Sequence, residues 1–263
     1  MRLSLKNATS RRVVYDVCVK PRAPEDGIAV EAPGAARITF APSVTSPVGA
    51  IAHVVARGDG SGQLVVENTA GSPSLCGAVV ELDPAEGPGI VLDQLGFNGA
   101  RYGTPLAWNE EAWGAELARR SPDLVVLEYG TNEAGDGAPA YGKVGDQLEQ
   151  LVARIRKVRP GADCLVVSPT DRADAEDRVP PMHASVKAAA GRAGCFFFDA
   201  YAAMGGKGAM AARRDEPKPR AQKDGIHMTI RGYEEMAEAM HAAMLAGYEG
   251  PAGTPIARAT PSR

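Results

Sequence analysis

The first third of the chain alternates. Val13, Tyr15, Val17 and Val19 are apolar at every second position, the period of a strand with one face buried. Ile28, Val30 and Ala32 repeat the pattern between turn clusters at Glu25-Asp26-Gly27 and Pro33-Gly34. Ala50 to Ala56 and Gln63 to Glu67 read as two further strands, and Leu75 to Leu82 as another. Gly58-Asp59-Gly60-Ser61-Gly62 lies between two of these runs and reads as a hairpin connection. No amphipathic helix is evident before residue 105, so residues 1–85 are expected to form a small antiparallel, sandwich-like β module.

The second region, 86–248, changes period. Asn109 is placed to cap a helix that carries Trp113 and Leu117 on one face and stops at Ser121-Pro122. Leu124 to Tyr129 is a continuous apolar run of the kind buried in parallel sheets. Val144, Leu148, Leu151, Val152, Ile155 and Val158 form a helical stripe ended by Pro160-Gly161. Cys164 to Val167 reads as a strand, 182–193 as a helix ended by Gly194, and Cys195 to Phe198 as a strand. Thr229 could cap a last helix with Tyr233, Met236, Met240 and Met244 on one face. Alternating strands and helices predict an α/β unit, a parallel sheet with helices on both sides. The Pro-, Gly-, Ala- and Arg-rich tail, 249–263, is expected to be disordered.

Composition narrows the classes. Lys plus Arg is 29 and Asp plus Glu 32, a net charge of −3, where a general nucleic-acid binder would be basic. No stretch approaches the roughly 20 apolar residues of a membrane span. The N-terminal sequence has no signal-peptide core, so the chain as written would stay in the cytoplasm; a further segment upstream would allow export. Cys18, Cys76, Cys164 and Cys195 lie far apart in apolar runs with no CxxC pairing. Buried reduced thiols are expected there, rather than a disulfide scaffold or a zinc site.

In an open parallel sheet the chemistry lies beyond the carboxyl ends of the strands. Three segments qualify. They are Leu95-Gly96-Phe97-Asn98-Gly99-Ala100-Arg101, then Gly130-Thr131-Asn132-Glu133 after an apolar strand, then Asp224-Gly225-Ile226-His227 before the last helix. Asp224 and His227 are spaced so that a carboxylate can accept the imidazole Nδ1–H and fix a general base. Asn132 can aim an amide at a developing oxyanion, and Gly99 lets a substrate approach its backbone N–H. Glu133 reads equally as a second site carboxylate or as a loop residue bonded to local backbone. Arg101 and Tyr102 could border an acyl pocket. Trp108 and Trp113 could line a sugar site, with packing the default. His53, His183 and His241 lack partners at ligand spacing, so core or surface roles are expected. The cationic run between Lys207 and Lys223 reads as a solvated loop.

Taken together and in this order, Asn98-Gly99, Gly130-Thr131-Asn132-Glu133 and Asp224-Gly225-Ile226-His227 resemble three blocks of the SGNH (GDSL-type) hydrolases, over roughly residues 88–248. Glu133 stands where that family usually has Asp. The resemblance implies a flavodoxin-like three-layer α/β/α fold and ester hydrolysis through an acyl-serine, with no metal and no cofactor. It implies His227 as base, Asp224 as its orienter, and Gly99 and Asn132 as the oxyanion hole. Small-molecule or glycan esters are the implied substrates, carbohydrate O-acetyl esters by analogy with relatives that carry a β module.

The family's first block, Gly-Asp-Ser, has no match. The nearest string, Gly58-Asp59-Gly60-Ser61, carries an extra glycine and runs at once into Leu64-Val65-Val66, another strand. The nucleophile therefore stays unassigned, with Ser61 as one option and a hairpin tip as the plainer reading. The expectation is an N-terminally shortened chain of impaired activity, with an exposed sheet edge where a central strand would lie. The alternative is a non-catalytic glycan- or partner-binding protein on a degenerate hydrolase scaffold. Oligomeric state is left open.

Overall fold

A computed structural model describes residues 2–6, 9–136 and 138–249. The predicted disordered tail lies outside these residues, apart from Glu249, which ends a helix. The chain divides into two compact units, Met1–Leu95 and Gly96–Arg263.

The first unit holds β1 (Arg2–Lys6), β2 (Arg12–Lys20), β3 (Gly27–Glu31), β4 (Ile38–Phe40), β5 (Ala52–Asp59), β6 (Gln63–Ala70) and β7 (Ser74–Leu82). Two antiparallel sheets form, in the orders β1-β6-β3-β4 and β5-β2-β7. The alternation predicted in β2 is realised: Val13, Tyr15, Val17 and Val19 point inward and pack with Ile28, Val30, Leu64 and Val66 of the other sheet. Burying each such side chain contributes about 1.5–3 kcal/mol. The sequence does not predict β1 and β4, for runs of five and three residues are too short to establish a period.

The glycine-rich string belongs to the β5–β6 hairpin, with Gly58 and Asp59 inside β5. A Cβ at Gly58 would lie 2.1 Å from the Pro33 carbonyl oxygen, and one at Gly62 would lie 2.2 Å from the Pro33 ring. These glycines are explained by close approach of the neighbouring turn. Ser61 sits exposed at the tip between them. After β7 the chain runs through a short 3₁₀ turn, Pro84–Glu86, into an irregular segment in which Ile90 and Leu92 are almost wholly exposed.

The second unit alternates as predicted. It comprises α1 (Gly103–Leu106), α2 (Glu110–Arg120), β8 (Leu124–Glu128), α3 (Thr131–Asp136), α4 (Ala138–Val158), β9 (Asp163–Val167), α5 (Val179–Arg192), β10 (Phe196–Phe198), α6 (Ala200–Met204), α7 (Ala209–Arg214) and α8 (Ile230–Glu249). Asn109 caps α2, accepting the Ala112 N–H at 2.8 Å. The sheet is parallel, in the order β10-β9-β8. Both faces of β9 are covered. Cys164 and Val166 pack into a core with Leu148, Leu151 and Val186, while Leu165 and Val167 pack under Met204, Met210 and Met236. This is a helix–sheet–helix sandwich. Among the described residues β8 has no partner on its outer side, and its Leu124 and Val126 are 39% and 45% exposed.

The cysteines correct the sequence reading. Cys18 is joined to Cys76, and Cys164 to Cys195. β2 pairs with β7 and so brings Cys18 beside Cys76, with Cα atoms 5.2 Å apart. Cys164 on β9 and Cys195 just before β10 are likewise neighbours, 4.9 Å apart. Spacing along the chain hides both pairings, since each depends on strand register.

Candidate active site

The segment after Phe97 and the turn after β8 meet. Gly99 has φ +75° and nothing within 4 Å of where a Cβ would stand, so its backbone faces open space. Its N–H donates to no backbone acceptor among the described residues. The Asn132 side-chain amide donates to the Ala100 carbonyl at 2.9 Å, which brings Asn132 beside Gly99 and leaves its second N–H available. Arg101 reinforces the junction. Its guanidinium donates to the Gly99 carbonyl at 2.7 Å and forks onto Asp136 at 2.5 and 2.6 Å. That pairing holds the Asp136 carboxyl below its usual range. Arg101 is thus engaged in the loop structure itself.

Glu133 is settled as a structural group. It is 2% exposed, and its two carboxylate oxygens accept the backbone N–H groups of Tyr102 at 2.8 Å and Gly130 at 3.0 Å. One buried side chain therefore ties the loop carrying Gly99 to the turn carrying Asn132. Gly130 adopts φ +109°, and a Cβ there would meet the Pro169 ring at 3.0–3.3 Å.

The third segment is self-contained. Asp224 Oδ2 lies 2.8 Å from His227 Nδ1, while Asp224 Oδ1 accepts the backbone N–H groups of Ile226 at 2.8 Å and His227 at 3.0 Å. Gly225, at φ +67°, lets the chain turn tightly enough for this. The His227 N–H, then its imidazole, then the Ile226 N–H push the Asp224 carboxyl down to about 2. The His227 side chain is 61% exposed, and its Nε2 has no hydrogen-bond partner among the described residues. An imidazole anchored at Nδ1 with Nε2 facing solvent is equipped to accept a proton from an attacking hydroxyl.

Several other readings are decided by contacts. Trp113 packs partly into the core with the Arg154 guanidinium 4.5 Å over its ring, while Trp108 is 41% exposed. His53 pairs with Asp16 at 2.8 Å and His183 with Asp199 at 2.8 Å, partners that are distant in sequence. The cationic run is largely neutralised by ion pairs, Lys207 with Asp177, Arg213 with Glu235, Arg214 with Asp215, and Arg220 with Glu216 and Glu235. Among the described residues no cluster of His, Cys, Asp and Glu is arranged to hold a metal, and no helix is long and apolar enough to cross a membrane.

Comparison with known proteins adds a family match and three similar solved structures. The model of the GDSL-like lipase/acylhydrolase family matches residues 57–235, beginning within β5. A solved peptidoglycan O-acetylesterase is similar at 18% identity and TM-score 0.72, covering 93% of this chain and 70% of that one. An acetylxylan esterase from Geobacillus stearothermophilus is similar at 16% identity over 55% of this chain and 67% of that one, with TM-score 0.42. A lipase/acylhydrolase from Enterococcus faecalis is similar at 17% identity over 56% and 71%, with TM-score 0.41. No curated protein matches the sequence.

Proposed function

The chain belongs to the GDSL-like lipase/acylhydrolase family, and from that premise we propose that it hydrolyses O-acetyl esters of carbohydrates. The observation that carries the reading is the 2.8 Å Asp224–His227 pair with an open Nε2. The junction of Gly99 and Asn132 supports it. The O-acetyl assignment is supported by the two-unit likeness to the peptidoglycan O-acetylesterase, and the sugar is left unspecified.

In this mechanism His227 Nε2 takes the proton of an attacking hydroxyl, whose oxygen bonds to the ester carbonyl carbon. The carbonyl electrons move onto oxygen, where the Gly99 N–H and the free Asn132 amide N–H stabilise the charge. Collapse breaks the carbon–oxygen bond, and the imidazolium protonates the departing sugar alkoxide. Asp224 keeps the ring oriented and stabilises its cationic form. We take the attacking group to be water, with Ser61 as the side-chain alternative. Turnover is slow as a result, since direct attack by water lacks the tethered nucleophile of an acyl-enzyme route.

The test is release of acetate from 4-nitrophenyl acetate and from acetylated oligosaccharides by the purified chain. Slow turnover that is unchanged in Ser61→Ala is expected. Loss of turnover in that variant would make Ser61 the nucleophile. Absence of turnover, with retained binding of acetylated glycan, would favour a non-catalytic binding protein.

We further propose that the protein works in an oxidising compartment. Two cross-links closing loops of 58 and 31 residues support this, and each contributes about 4 kcal/mol by loop entropy. Free-thiol titration of protein isolated under alkylating conditions should find no reactive cysteine. Four titratable thiols would place it in a reducing compartment.

A further inference from the structure

One loop joins the two halves of the candidate site. It leaves β9 at Ser168 and enters α5 near Val179, and Ser168, Asp171 and Arg172 in it are buried although polar. Arg172 Nη1 donates to the Thr131 carbonyl at 2.7 Å, immediately before Asn132. The rest of its guanidinium forks onto Asp174 at 2.9 and 2.8 Å, which fixes the direction of the first bond. A Cβ on Gly135 would lie 2.9 Å from Nη1, so the α3 turn is seated directly on this side chain.

The next residue faces the other way. The Ala173 N–H donates to the Gly225 carbonyl at 2.9 Å, inside the Asp224–His227 turn. A Cβ on Gly225 would fall 2.7 Å from the Ala173 methyl. Consecutive residues therefore touch the Asn132 turn and the His227 turn. The loop is itself anchored, with buried Asp171 accepting the Met210 N–H at 3.0 Å and Pro169 packed on Gly130. The Arg172–Ala173 dipeptide thus contacts both turns at once.

We propose that Arg172 is a positioning residue for the ester reaction, acting with Ala173 as a strut that fixes the distance between the Asn132 amide and the His227 imidazole. This rests on the catalytic reading of those two residues. A strut matters because misplacement of about 1 Å between a base and an oxyanion donor costs about 10²-fold in rate.

The test uses the full chain in two variants. Arg172→Gln removes the fork while keeping bulk, and Gly225→Ala presses on the strut from the opposite end. Each is examined by ¹⁵N NMR of the Asn132 side-chain amide and the His227 imidazole, alongside turnover. In Arg172→Gln the His227 imidazole signals should move although Arg172 does not touch that residue, and kcat should fall about 10²-fold with KM little changed. Arg172→Lys, which keeps one donor for Thr131, should recover part of the loss. In Gly225→Ala the Asn132 amide should move. If Arg172→Gln shifts Thr131 and Asn132 but leaves His227 untouched, Arg172 merely stabilises α3 and the proposal is overturned. Should Arg172→Gln fail to fold, an unmoved Asn132 amide in Gly225→Ala overturns it equally. The NMR readout is independent of turnover. Loss of the catalytic reading would show instead as activity that survives His227→Ala.

Discussion

Glu133, in the first turn of α3, and Asp224, in the loop before α8, each accept two backbone N–H groups, and they serve opposite ends. Glu133 is 2% exposed and spends both oxygens on backbone, at Tyr102 and Gly130. The Asp224 side chain is 42% exposed, spends one oxygen on backbone and keeps the other for an imidazole. A carboxylate that closes a buried hydrogen-bond account holds loops together and has no capacity left for chemistry. One left at the surface with an unspent oxygen contributes little stability and can orient a base.

The comparison breaks most decisively through its most reactive partner. His227→Ala should lower ester turnover by about 10²–10⁴-fold, the range removed with a general base, while the melting temperature stays nearly constant. Unchanged turnover would remove His227 from the mechanism. Glu133→Ala should do the reverse in kind. It leaves two buried N–H donors without acceptors, at about 1–3 kcal/mol each. The melting temperature should drop on the order of 10 °C. A Glu133→Ala protein as stable as the parent would show that water replaces the carboxylate and that the corner is not held by it.

This contrast was only half legible in the sequence. The Asp224–His227 pair lies within four residues, so spacing alone suggested it. Glu133 could not be decided, because one of its donors, Tyr102, is 31 residues away. The same limit explains the cysteines, whose pairing follows from strand register, and Arg172, whose partner Thr131 lies across the sheet on the neighbouring strand's turn. Period-2 alternation in β2 and the stripe on α4 were readable, since one side chain's burial is repeated along its own element. Ser61 was ambiguous for a further reason. A glycine-rich string that resembles a catalytic block serves equally to let Pro33 pack against a hairpin.

The smallest expected effect sharpens the comparison. Asp224 is held at about 2, against 3.8 for an ordinary aspartate, so its carboxylate stays ionised well below the pH at which most surface carboxylates protonate. A carboxyl depressed by folding contributes stability that is fully present above the unfolded value and is lost as pH falls through the folded one. The contribution of the Asp224 turn should therefore be intact above about pH 4 and fade towards pH 2, a small effect because the group is exposed. A ¹³C titration of the Asp224 carboxyl reads this directly. The midpoint should lie near 2 in the parent and rise towards the ordinary value in His227→Ala, but only part of the way, because the backbone N–H groups of Ile226 and residue 227 remain. A midpoint that does not move in His227→Ala would mean that the turn alone depresses the group. The 2.8 Å contact with the imidazole would then carry no electrostatic coupling, and Asp224 would resemble Glu133 after all, a carboxylate spent on its own backbone.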